Sequence, residues 1–169
     1  MEIRNPALFL EYLASVHKRT RRVIDLIPPN DIEWSPVPGK FSFGDLVRHL
    51  AGIERYMYAE TVNGRPSRYP GHGTEVADGL SEVVEYYEQL HGESVALFSL
   101  LTPEAMLEKS VTPAGSPITT YKWLRLMVEH EAHHRGQIYL MLGMRGVVTP
   151  PIYGLTAEEV QAKSIGSAV

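Results

Sequence analysis

The sequence predicts an all-α protein, a four-helix bundle with long ordered loops, and three observations carry that prediction. Four segments repeat their apolar residues with helical spacing. No segment alternates with the period of a strand over a useful length. The stretches between the periodic segments are rich in Gly and Pro and long enough to cross the ends of a bundle. A chain of 169 residues suits one well-filled domain and is short for two, so residues 1–169 are read as a single helical domain.

The first helix is expected from about Pro6 to Ile27, where Leu8, Phe9, Tyr12, Leu13, Val16, Val23 and Ile27 recur at roughly helical spacing before "PPN" ends it. The turn-rich run "PPNDIEWSPVPGKFS" follows. Ser42 then offers an N-cap, with Asp45 three positions on, for a second helix from about Phe43 to Val62. "NGRPSRYPGHGTEVADG" is a loop that can overhang a pocket. A third helix spans about Leu80 to Leu101. The irregular "SVTPAGSPIT" leads to the fourth, capped by Thr119 or Thr120 and running to about Leu142 before Gly143 and Gly146. The tail holds one short helix. Periodicity leaves the threading open, because it does not say which neighbours run parallel.

Composition narrows the function. The net charge of −4 and the lack of a Lys/Arg block argue against nucleic acid as a partner. The amino terminus does not read as a signal peptide and no apolar run approaches a membrane span, so a cytoplasmic protein with no membrane partner is expected. There is no cysteine. Disulfides, thiolate metal sites and a cysteine nucleophile are thereby excluded. A metal would have to be held by imidazole and carboxylate, which suits zinc, nickel or iron better than copper(I).

The histidines point to such a metal. At about 100° per residue, Trp123, Met127, His130, His134, Ile138 and Met141 fall in one sector of the fourth helix, with Gln137 beside them. His130 and His134 lie one turn apart on this apolar stripe, where two imidazoles can converge on one ion. On the second helix Leu46, His49, Ile53, Tyr56 and Met57 share a face. A bundle brings inward stripes together, so His49, His130 and His134 form a candidate three-histidine site with open positions. A lone inward histidine is more often a hydrogen-bonded core residue; two helices aiming histidines into one interior is what favours ligation. His133 falls at the edge, as a rim group or a substitute for one of the pair. His72 is a candidate fourth ligand from its Gly/Pro loop. His17 and His91 read as ordinary surface histidines.

His130-Glu131-x-x-His134 also matches the zinc-peptidase pattern in which the glutamate is general base. Gln137 and Leu140 stand where the extended form of that pattern needs Gly and His, and downstream carboxylates are confined to Glu158 and Glu159 of the tail. The peptidase reading is therefore the weaker one. Glu131 lies about 100° round the helix from its neighbouring ligand and receives no catalytic role.

"WSPVPGKFSFGDLVRHLAGIERYMY" and "ITTYKWLRLMVEHEAHHRGQIYLMLGMRG" resemble the two signature regions of the DinB/YfiT-like family of metal-dependent four-helix bundles. The likeness is strong over the second and fourth helices, and helix order and the Gly/Pro loop fit across most of the chain. It implies a divalent metal on a His triad that falls on His49, His130 and His134, with zinc first and nickel or iron as alternatives, and often a homodimer. It further implies transfer of a low-molecular-weight thiol (bacillithiol, mycothiol or glutathione) as co-substrate to a small-molecule electrophile. The rival expectations are a hydrolase at the same site, a non-catalytic stress-related bundle whose metal is structural, and a metal-free core of hydrogen-bonded histidines. The sequence assigns no general acid or base.

Overall fold

The computed structural model describes residues 3–166. Helix α1 is Pro6–Ile24, and Asn5 caps it by accepting from the amides of Ala7 and Leu8. A loop containing a 3-10 turn at Pro29–Asp31 leads to α2, Phe43–Ile53. Ser42 and Asp45 close a reciprocal capping box there, satisfying two backbone donors that a helix start leaves free. The rod continues without a break through a π-helical turn, Glu54–Tyr58, into the short α3, Ala59–Thr61. Helix α4 is Gly79–Phe98, α5 is Thr120–Met144, and α6 in the tail is Ala157–Gly166.

Helix α2 packs most closely on α4 and α1 on α5, while α2–α5 and α1–α4 contacts close the ring. Consecutive helices α1 and α2 therefore sit diagonally, and so do α4 and α5. Cross-contacts give the directions. Phe9 meets Phe98 and His17 meets His91, so α1 and α4 are antiparallel. His49 meets His130, and Tyr58 meets Trp123, so α2 and α5 are antiparallel. Arg48 reaches the Ala77 carbonyl, His91 meets Glu54, and Asn63 reaches the Leu97 carbonyl, so α2 and α4 run the same way.

A parallel pair joined in sequence needs a return path. Residues 62–78 supply it, travelling back along the bundle as an irregular crossover. This explains the loop lengths: two connections cross bundle ends on the diagonal, and one must retrace a helix.

Two expectations change. The π turn inserts extra residue angle after Ile53, so the wheel that put Tyr56 and Met57 inward loses phase. Tyr58 and Ala59 are buried instead. The stretch before α5 also holds a hairpin of two three-residue strands, β1 (Lys109–Val111) and β2 (Pro117–Thr119), with Ser110 opposite Ile118. Strands that short show no alternation to read. Its turn includes Gly115 at φ 79°, a conformation that suits glycine.

The core is two clusters. One gathers residues such as Ile24, Phe43, Leu46, Leu90 and Leu142, the other Phe9, Leu13, Phe98, Met106 and Leu124. Arg48 is also fully buried. It is tied to Glu33 at 2.7 and 2.9 Å, to Asp45 at 3.0 Å and to the carbonyls of His72 and Ala77. That arginine fastens the α1–α2 loop and the crossover to the start of α2, beside the histidines.

Candidate metal centre

His130 and His134 project from the middle of α5 one turn apart, and His49 faces them from α2 across the antiparallel pair. The structure brings all three together. Nε2 of His130 stands 3.1 Å from Nε2 of His49 and 3.0 Å from Nε2 of His134. Among the described residues these three form the one His/Cys/Asp/Glu group whose ligand atoms converge in this way. Three nitrogens bound at about 2.0–2.1 Å in a tetrahedral zinc site stand roughly 3.3–3.4 Å apart; the two spacings to His130 are within a few tenths of an ångström of that, and all three ligand atoms lie within 4.8 Å of one another.

The outer ring nitrogens explain the orientation. Nδ1 of His134 is 2.7 Å from Oε1 of Gln137, and Nδ1 of His49 is 2.8 Å from the Tyr69 hydroxyl. An Nδ1–H that donates to Gln137 leaves Nε2 as a bare lone pair, and His49 has the same option towards Tyr69. Tyr69 passes its own proton on to Nδ1 of His72 at 3.0 Å. The lone pairs of His49 and His134 thus both face Nε2 of His130 at hydrogen-bonding range.

Protonation does not relieve the crowding near neutral pH. Burial, then the neighbouring His130 and His134, push His49 down to about 3. Burial and His134 push His130 down to about 4, and burial also lowers His134. Three neutral imidazoles converging on one point are the donor set that a divalent cation of the zinc class requires.

The surroundings sort the other histidines. His133 is exposed and packs its ring against His134 at 4.9 Å, outside the converging group. His72 is also outside it, with its Nδ1 taken by Tyr69. Phe41, from the α1–α2 loop, lies 4.4 Å from the His72 ring, 5.4 Å from His49 and 6.3 Å from His134, which places an apolar ring against the site.

His17 and His91 differ from expectation. They are half-buried and stacked at 3.6 Å between α1 and α4, with Tyr87 stacked on the other face of His17. Glu88 and Glu54 partner them at 3.2 and 3.0 Å. Their wheel positions fall between helices, where the ring faces stack and Nε2 of His17 and Nδ1 of His91 meet carboxylates, while Nδ1 of His17 is buried without a hydrogen-bond partner among the described residues.

Glu131 points away from the triad into this neighbouring polar core. Its Oε1 accepts from Thr20 at 2.5 Å and from Tyr87 at 3.4 Å. Burial, then the charge of Glu54, push its carboxyl up to about 7. Arg135 is buried as well, donating to Thr20 and to Tyr153 of the tail.

Tyr69 was not singled out from the sequence. Its only signal was its place in a Gly/Pro loop expected to overhang a pocket, and no periodicity reaches such a segment. Gln137 was visible on the wheel beside the pair it serves.

The chain is similar to proteins of the same architecture. It is 25% identical over 137 residues to YjoA of Bacillus subtilis (strain 168), covering 79% of this chain and 86% of that one. The YjoA crystal structure superposes with a TM-score of 0.70 at 18% identity, covering 87% of this chain and 97% of that one. A DinB-like protein from Bacillus cereus ATCC 10987 gives 0.71 at 16% identity, with coverage of 85% and 94%. YfiT from Bacillus subtilis, described as a probable metal-dependent hydrolase with an unusual four-helix bundle topology, gives 0.67 at 18% identity, with coverage of 88% and 91%. The model of the DinB superfamily matches residues 12–138, well over half the chain. With that match and this bundle, the protein belongs to the DinB superfamily.

Proposed function

We propose that this protein is a divalent-metal-dependent transferase that joins a low-molecular-weight thiol to a small electrophile, with zinc as the metal. The observation that supports it is the convergence of three neutral Nε2 donors, one fewer than the four protein ligands of a closed structural zinc site. His49, His130 and His134 would hold the ion. When bound, it would supply an open coordination position and the positive charge that keeps a thiol in its thiolate form.

The chain has no cysteine of its own, so the sulfur must arrive with a co-substrate such as bacillithiol, mycothiol or glutathione. The reaction balances in each case: a sulfur–carbon bond forms while the bond from that carbon to its leaving group breaks, or, in an activated alkene, while the π bond breaks and the adjacent carbon takes up the proton; an opened epoxide keeps its oxygen as a hydroxyl. A leaving group that departs takes the electron pair, and the thiol proton then ends in solvent. The protein's part is positional. Tyr69 and Gln137 hold His49 and His134 in their donor tautomers, and Phe41 and the crossover keep competing water from the electrophile.

The description of YfiT favours a second reading, hydrolysis at the same triad by an activated water. One experiment separates them. Zinc-loaded protein is assayed for loss of each of the three thiols against alkyl halides, epoxides and activated alkenes, and in parallel for thiol-free ester and amide hydrolysis. Thiol consumption that saturates, and that vanishes on chelation and in His130→Ala, supports transfer. Background rates with every thiol, beside metal-dependent hydrolysis, would overturn it.

A further inference from the structure

The triad is approached along a cleft of about 490 Å³ between the α1–α2 loop and the second half of α5. His134 and Gln137 form one end of its wall, and Leu140, Met141 and Met144 continue along the helix. Ten residues separate His134 from Met144, which at 1.5 Å per residue makes the groove about 15 Å long. Phe41 and Lys40 line the opposite side.

Two features distinguish this groove from an ordinary surface furrow. Leu140 and Met144, 66% and 58% exposed, stand one turn apart on the same wall and give it a continuous apolar strip. Its wall carries one charge. Lys40 is exposed, no carboxylate lines the cleft, and no ion pair to Lys40 occurs among the described residues. Gln137 turns its oxygen to His134, which leaves its amide N–H groups without a partner among the described residues.

The geometry points to the cleft as the site of the electrophilic co-substrate, and to that co-substrate as an amphipathic organic anion: an extended apolar body whose anionic group is met by Lys40. This rests on the transferase reading for the words electrophile and co-substrate, but the binding it asserts does not. The apolar body lies on Leu140, Met144 and Phe41, in the same cleft that Gln137 and His134 line. Halogenated or unsaturated carboxylic acids of medium chain length have this form.

Binding to the zinc-loaded full chain is measured by titration calorimetry with decanesulfonate, decanol and decylammonium, with no thiol present. A sulfonate is a weak metal ligand, so its preference reports the cleft and not the ion. Decanesulfonate should bind one to one and at least tenfold more tightly than decanol, with decylammonium weakest. Lys40→Ala should abolish the preference for the anion while leaving decanol affinity within twofold. Met144→Glu should abolish binding of both, with zinc content unchanged in each variant.

An equal affinity for sulfonate and alcohol, or a preference that survives in Lys40→Ala, overturns the assignment. So does a dimer that Met144→Glu dissociates in sedimentation together with no ligand binding, since a second copy would then be what covers the groove. Because no thiol enters the measurement, a failure here leaves the thiol-consumption result standing, and a failure there leaves the binding result readable.

Discussion

The Tyr69 hydroxyl sits 2.8 Å from Nδ1 of His49, so a residue of the crossover holds a histidine of the bundle. Removing that oxygen leaves the ring free to turn and lowers its basicity. Tyr69→Phe should keep the fold, because the aromatic ring remains, and should weaken zinc binding by about 10–100-fold. Competition with a chromophoric chelator measures this directly; an affinity within twofold of the parent would show that the contact orients nothing.

His130 is the member that stands close to both others, at 3.1 and 3.0 Å. His130→Ala should bring zinc per chain, measured by elemental analysis after dialysis, from near one to near zero. His134→Ala should do the same. His133→Ala and His72→Ala should retain the metal. Full metal content in His130→Ala would remove the triad from consideration.

Acid should destabilise the metal-free protein through these same rings. An unfolded chain takes up their protons near pH 6.5, whereas burial holds His49 neutral down to about 3 and His130 to about 4. Between those values the unfolded state binds more protons, so stability falls as the pH drops from about 6.5 towards 4. Urea midpoints at pH 7 and pH 5 should differ, and the His49→Ala/His130→Ala double variant should show a shallower slope. A bound cation should carry the fall on below about pH 4, because ligation keeps the rings neutral where the metal-free protein would begin to protonate them.

Glu131 gives a contrasting outcome. Glu131→Ala strips the acceptor from Thr20 and Tyr87 in a buried setting and should cost about 1–3 kcal/mol of stability. Metal content should not change. Glu131→Gln, which keeps an acceptor oxygen, should lose less. Loss of zinc with an unchanged urea midpoint would contradict the orientation of this carboxyl towards α1 and α4.

Much of this was legible in the chain because helices advertise themselves by spacing. The capping box at Ser42 and Asp45 and the stripe holding His130 and His134 need only local geometry. So did the placing of His49, since one turn of α2 is enough to orient it. The ring order of the helices was not legible, because a periodic stripe says which face turns inward and not which neighbour it meets. The stacked His17 and His91 escaped for that reason: their surroundings are set by the meeting of α1 and α4. The π turn escaped because a wheel assumes a constant step. Arg48 and Arg135 escaped because charge argues for the surface until partners such as Glu33 and Thr20 are known to wait inside.

The same-direction pairing of α2 and α4 has a consequence for how such proteins diversify. Any chain threaded this way must lay some fifteen or more residues of irregular backbone over the wall that holds the histidines, and that backbone contributes little to the hydrophobic interior. Outside the points it anchors, Tyr69 on His49 and the carbonyls of His72 and Ala77 on Arg48, its composition can drift while the helical frame persists. Chemical selectivity in this architecture is thus free to vary on a segment whose alteration leaves the rest of the molecule standing.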